Sequence, residues 1–402
     1  MEALVYEFSP LRWLLARHVG QRANPSAQVA FSGLSLRQLS LPAVPGPGWV
    51  PLRVRLAGIC GTDLATLTGK AGPQLSPFVS FPAVLGHEVL AVPEEGPLAG
   101  RRVVLDPLLG CVTRGLPPCA ACAQGRPALC HRFAEGRLAP GMLLGYCRDL
   151  PGAWSERMLA HESQIHPVPD GLNDECAVLA EPLAVALHAV LAQVPRAGER
   201  VLIIGAGTLG QCLVAAVRLL SPEAHTVVVA RRPFQAALAT RLGAQQTVRS
   251  LREAQEMALQ RGWGASFPGL LGTNGFTGGF DQVLDAVGSP DTLGGALRLT
   301  RAGGRFALIG SSGIVPHLDL TWLWAHEISA QGFCTYGPEP RADGRHTIAL
   351  ALELMAQHPE VPISSMVTHR FPLAAYRDAL RACFGRRRSS AVKVLLEPAQ
   401  GH

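Results

Sequence analysis

Three groups of residues in this 402-residue chain have the types and spacing that chemistry requires. Cys119 and Cys122 stand two residues apart, Cys130 follows after seven more, and Cys111 precedes them in the same Gly- and Pro-rich stretch. Thiolates at such spacings suit tetrahedral zinc, and four of them close the shell, exclude substrate and make the site structural. Free buried cysteines are the alternative, but Pro117, Pro118, Gly125 and Pro127 offer them little apolar neighbourhood. The second group is Gly58-Ile59-Cys60-Gly61-Thr62-Asp63 with Gly86-His87-Glu88 downstream. A thiolate and an imidazole are good zinc ligands, and a carboxylate can complete a site still open to water or substrate. Alone, one Cys and one His prove little, since a His-Glu pair is also an ordinary helix start or ion pair. The third group is Gly205-Ala206-Gly207-Thr208-Leu209-Gly210, which follows the apolar run Arg200–Ile204 and opens an apolar helix. In that context the glycines let the backbone approach a pyrophosphate, so Gly205, Gly207, Thr208, Leu209 and Gly210 are expected cofactor contacts.

The elements around these groups change character along the chain. Residues 1 to about 170 carry short β-type runs, such as Val50–Leu56 and Arg102–Leu105, between turn residues, which predicts a β-rich, barrel-like domain. A long Ala/Leu-rich helical stretch follows over Asp174–Gln193. From Arg200 onward, buried-type strands alternate with helices (Arg200–Ile204, Thr226–Ala230, Gln282–Asp285, Arg305–Ile309), the pattern of a doubly wound parallel sheet. Glu253–Gly279 is Gly-rich and reads as an extended surface connection. A helix over Thr347–Gln357 and a strand ending at Leu396 close the chain, and a terminal strand could return to the first domain.

Composition narrows the function classes. Hydrophobic residues make up 48% and charged residues 16%, as in a compact globular protein. The net charge of +6 is carried almost wholly by arginine, with Lys70 and Lys393 the only lysines. The arginines are scattered apart from short runs such as Arg231-Arg232 and Arg386-Arg387-Arg388, so no nucleic-acid-binding stripe forms. No apolar run suits a membrane span, and Glu2 and Glu7 argue against a secretory signal, so the expected compartment is the cytoplasm.

Taken together, the chain resembles the medium-chain, zinc-containing alcohol dehydrogenase superfamily, nearest its sorbitol/threonine dehydrogenase-like branch. The resemblance rests on the three groups above, on Ala180-Glu181-Pro182-Leu183 with His188, and on Asp285-Ala286-Val287-Gly288 and Gly303-Gly304-Arg305, in order over roughly residues 50–396. It implies a split GroES-like catalytic domain (1–175 and 336–402) around a Rossmann domain (176–335). Cys60 and His87 become ligands of a catalytic zinc, with Glu88 and Glu181 as alternative third ligands, and Cys111, Cys119, Cys122 and Cys130 hold a structural zinc. Thr62 passes the substrate proton outward, and Asp63 orients a ligand or caps a turn. The implied reaction is reversible alcohol oxidation: zinc lowers the pKa of the substrate hydroxyl and hydride passes to the nicotinamide. The substrate is a small polyol, sugar or alcohol, and the assembly a homodimer or homotetramer.

This chain departs from relatives at three places. Where many have a histidine three residues beyond Thr62, it has Ala65, so proton exit would need water, Thr66 or a cofactor hydroxyl. Seven residues separate Cys111 from Cys119 where relatives usually have two, so Val112–Pro118 must form a longer loop or leave the lobe short of a ligand. Counting back from Leu242-Gly243-Ala244, where relatives end their second helix, the acid that would bind the NAD ribose falls on Ala230, followed by Arg231 and Arg232. A guanidinium can pair with a 2′-phosphate, which favours NADP(H) over NAD(H). Competing readings are a zinc-free quinone or enone reductase, a non-catalytic NADP-binding or redox-sensing protein, and a zinc lobe serving a protein partner. Thr66–Phe81, Trp154 and Trp322–Trp324 are candidate pocket-lining segments or ordinary core and loop.

Overall fold

The computed structural model describes residues 1–17, 25–270, 274–311 and 313–398. They form two compact units: Met1–Glu181 with Tyr336–Ala356 and Val367–His402, and Pro182–Thr335 with Gln357–Met366.

The first unit is organised on the strand Trp49–Gly58. Its alternation turns Leu52, Val54 and Leu56 into the core and Arg53 and Arg55 to solvent. Val89–Pro93, Arg157–His161 and Lys393–Glu397 pair antiparallel with it, with Ala57 opposite Val89, Trp49 opposite His161 and Gly58 opposite Leu395. Val103–Leu105, Ile165–Pro167 and Val367–Pro372 complete a seven-stranded sheet, and Leu34–Gln38, Glu2–Tyr6 and Ala83–Val84 form a second, three-stranded one. The terminal strand thus lies beside the segment that leads into Cys60. Trp154 is fully buried in this unit's core and donates from Nε1 to the Gly58 carbonyl at 3.1 Å, so it is a core residue and does not line a pocket.

The second unit is a parallel sheet of six strands in the order Gln246–Val248, His225–Val229, Arg200–Ile204, Phe280–Asp285, Thr300–Leu308, Ser329–Gly332. Numbered along the chain this is 3-2-1-4-5-6, the Rossmann order. Its core holds Leu202, Ile204, Val227, Val229, Val283 and Phe306. Glu253–Gly279 differs from the expected surface connection. Leu251–Gln260 is a helix capped by Ser250, whose side chain accepts from the Glu253 amide, and it buries Ala254, Met257 and Ala258. That i, i+3, i+4 spacing anchors it despite its polar sequence. Gly264–Phe267 and Gly275–Gly278 then form an antiparallel pair around a buried Phe276; residues 271–273 of this segment lie outside the described residues. Trp322 packs against this unit's core, whereas Trp324 is 73% exposed. None of the described helices is long and apolar enough to cross a membrane.

Asp281 ties the central strands of this sheet. One carboxylate oxygen accepts from the Arg200 amide and Nε at 2.8 and 2.9 Å, and the other from Arg301 Nε at 2.6 Å. Burial opposes its ionisation, but these bonds outweigh burial and bring its pKa down to about 2. A carboxyl depressed in the fold stabilises it above its ordinary titration range and loses that contribution as pH falls towards 2. Asp281→Asn is therefore expected to lower the denaturant midpoint at pH 7, with the gap from wild type shrinking as the pH is taken down to 3. Urea titrations at the two pH values check this.

Candidate active site

The local chemistry of the first unit begins where strand Trp49–Gly58 gives way to helix Gly61–Leu67. Cys60 is the residue before the helix, in extended conformation, and the Asp63 side chain closes the first turn by accepting the Cys60 backbone N–H at 2.9 Å. Asp63 is fully buried, and its second oxygen accepts from the Tyr146 hydroxyl at 2.9 Å and lies 3.5 Å from His87 Nδ1. With Nδ1 turned to Asp63, His87 keeps Nε2 for a ligand, and its ring lies within hydrogen-bonding reach of the Cys60 thiol. Burial opposes charge on both groups. At Cys60 the attraction of His87 prevails and the thiol falls below its ordinary value; at His87 the Asp63 charge, followed by that of Cys60, prevails and the imidazole rises well above its own. A thiolate and an imidazole so placed are a fitting donor pair for zinc.

The two glutamates turn to other partners. Glu88 forms a buried ion pair with Lys393, whose ammonium also donates to the Ile59 carbonyl at 3.3 Å. Burial lowers Lys393 to about 8. Glu181, at the start of helix Ala180–Ala192, accepts from the Tyr336 hydroxyl at 3.1 Å, and burial raises it to about 7. Thr62 places its hydroxyl 3.7 Å from Cys60 Sγ. Thr66 instead donates to the Thr62 carbonyl at 3.0 Å and sits 3.4 Å from the Tyr146 hydroxyl, so it is bound into the buried network. Burial, together with the Asp63 charge, pushes the Tyr146 phenol well above its ordinary value and keeps it a donor.

The cysteine lobe closes despite its long first spacing. The sulfurs of Cys111, Cys119, Cys122 and Cys130 all lie within 4.8 Å of one another, the one such ligand group among the described residues. Cys111 and Cys130 are 3.7 Å apart and Cys119 and Cys130 4.0 Å. A tetrahedron with Zn–S of about 2.3 Å has sulfurs about 3.8 Å apart, so the residues fit zinc. Val112–Pro118 makes the longer loop, and Arg114 anchors it. Its guanidinium, fully buried, donates to the carbonyls of Leu109, Glu135, Leu138, Ala139 and Gly141 at 2.6–3.2 Å.

In the second unit, Gly205 has φ +96°, and a Cβ on Gly210 would lie 1.8 Å from the Gly205 carbonyl oxygen, so the turn and the first helical turn can meet only as glycines. Gly207 precedes helix Thr208–Leu220, where Thr208 and Leu209 lie in the first turn. Ala230 follows the second strand and is buried, Arg231 is exposed, and Arg232 precedes helix Pro233–Leu242.

The sequence reading missed Tyr146, Tyr336, Lys393 and Arg114. Lys393 carries a signal in hindsight, a charge inside the apolar run Ala391–Leu396. The others are marked only by what they touch.

Two family models match the chain: residues 46–170 fit the alcohol dehydrogenase GroES-like domain and residues 208–357 the zinc-binding dehydrogenases. The chain is 26% identical to a sorbitol dehydrogenase of Arabidopsis thaliana over 91% of its own length and 93% of that protein. It is 29% identical to an L-galactonate-5-dehydrogenase of Escherichia coli (strain K12), over 85% and 89%. In fold it is similar to a galactitol-1-phosphate dehydrogenase from Escherichia coli, with a TM-score of 0.73 at 20% identity over 99% and 100% of the two chains.

Arg114→Met leaves buried carbonyls without their donor and is expected to destabilise the fold by on the order of 3 kcal/mol. Chemical denaturation of the zinc-replete protein measures it.

Proposed function

We propose that this chain, which belongs to the medium-chain zinc-containing alcohol dehydrogenase superfamily and so acts on CH–OH groups with NAD(P), oxidises a small polyol, sugar or alcohol with a preference for NADP(H). The observation that carries the catalytic half is the meeting of Cys60 and His87 around the buried Asp63. In this reading Cys60 and His87 hold the catalytic zinc, and the four-cysteine lobe holds the structural one. Zinc bound there supplies Lewis acidity, which lowers the pKa of a hydroxyl and polarises a carbonyl.

The chain's own residues do the rest. Asp63 keeps the His87 ring oriented and the Cys60 backbone fixed. Glu88 starts from its pair with Lys393 and Glu181 from its bond to Tyr336, so a movement that carries either into the metal shell strains that contact. Of the two, Glu181 leaves only a neutral phenol, whereas Glu88 would leave a buried ammonium, so we assign the exchangeable ligand role to Glu181. Thr62 takes up the substrate proton beside Cys60 and passes it to solvent or a cofactor hydroxyl, since Ala65 cannot and Thr66 is engaged. Gly205, Gly207, Thr208, Leu209 and Gly210 receive the pyrophosphate. Ala230 offers no carboxylate to repel a 2′-phosphate, and Arg231 and Arg232 supply charge for it. Assembly as a homodimer or homotetramer belongs to the same reading.

Two experiments test this. The zinc-replete protein should contain two zincs per chain; Cys60→Ser should lose one of them and nearly all alcohol oxidation while still binding NADPH. Full activity in that variant overturns the reading. Replacing Arg231 and Arg232 with Ala should raise KM for NADP by about tenfold or more and leave that for NAD unchanged, as loss of a charge-assisted pair predicts. Equal use of both cofactors by wild type would remove the NADP assignment alone.

A further inference from the structure

One carboxylate oxygen of Asp63 is held by the Cys60 amide. On its own that bond leaves the carboxylate free to swing its other oxygen away from His87. The Tyr146 hydroxyl prevents this, donating to that oxygen at 2.9 Å. The proton count is unambiguous: Thr66 spends its hydroxyl proton on the Thr62 carbonyl, so the single Tyr146 proton goes to the charged acceptor.

Tyr146 is itself held rigidly. Its amide donates to the Leu143 carbonyl at 3.1 Å, and its carbonyl accepts from the Ser80 amide at 3.0 Å. Its ring lies 5.9 Å from the His87 ring, centre to centre. The preceding residue is a glycine with φ +85°, and a Cβ there would stand 2.8 Å from the Gly86 carbonyl oxygen. The loop carrying Tyr146 is therefore pressed directly on the loop carrying His87.

We propose that Tyr146 is a positioning residue of the metal centre. Its hydroxyl locks Asp63 so that the carboxylate faces His87 Nδ1, which fixes the His87 tautomer and leaves Nε2 as the nitrogen that would, with Cys60, hold a divalent cation. The inference rests on the reading of Cys60 and His87 as zinc ligands. Outer partners of this kind are worth 10–100-fold in metal affinity or activity.

The test is Tyr146→Phe, which keeps the ring and removes one oxygen, with Thr66→Val as the control that removes the neighbouring hydroxyl. Metal affinity is measured by chelator competition. The d–d absorption of protein carrying cobalt at the Cys60-dependent site is recorded, with the four-cysteine lobe as internal reference. Tyr146→Phe is expected to weaken the Cys60-dependent ion about 10–100-fold and to shift its cobalt bands. The lobe's ion and NADPH binding should stay as in wild type, while the thermal midpoint falls modestly because buried Asp63 loses a donor. Thr66→Val should leave the metal signals unchanged. Wild-type affinity and bands in Tyr146→Phe overturn the proposal, as does an equal loss at both metals, which would mark a purely structural role. If wild type and Cys60→Ser bind equal amounts of metal, the zinc reading itself fails and takes this proposal with it.

Discussion

The buried carboxylate of Asp63 is the contact on which the catalytic half of the first unit depends. It sits at the start of a helix with no exposure to solvent, and its two hydrogen bonds and its facing imidazole each serve the site. The Cys60 amide fixes where the thiol starts, the Tyr146 hydroxyl fixes the rotation of the carboxylate, and His87 faces the oxygen that remains. A charge so placed is tolerable only because each side is answered by a donor or a potential cation. The helix-capping geometry and the placing of His87 are therefore one arrangement: the side chain that closes the first helical turn also faces the imidazole 24 positions further along the chain.

Around that centre, charges are held in pairs of unequal strength. Lys393, one of only two lysines, is delivered by the terminal strand to Glu88, so the returning end of the chain neutralises a carboxylate next to His87. Glu181 has a phenol for a partner, and burial leaves it poised near neutrality. A glutamate that must enter and leave a coordination shell is better kept by a weak partner than by an ammonium.

The cysteine lobe shows how a length change is absorbed. A longer loop between the first two thiolates would ordinarily loosen the site, because each added residue carries conformational entropy. Here the loop folds around its own arginine, whose donors gather carbonyls from both sides, and the sulfurs meet at tetrahedral spacing.

Much of this was legible in the chain itself. The glycine fingerprint after a buried strand, the alternation of strands and helices, the thiolate spacings and the Cys60 and His87 motifs are local patterns, and local patterns report what short-range geometry demands. Glu253–Gly279 was misread because its glycines mask a helix whose anchoring face is only three small or flexible apolar residues. The partners of Asp63, Glu88 and Glu181 lie 83, 305 and 155 positions away, at distances no periodicity reaches. Sequence determined which residue types could do the chemistry, since coordination and phosphate binding require particular atoms at particular spacings. Only the tertiary structure decided which carboxylate is tied to an ammonium, which is held by a phenol alone and what holds His87 in place, because burial and pairing are set by where distant segments are brought to pack.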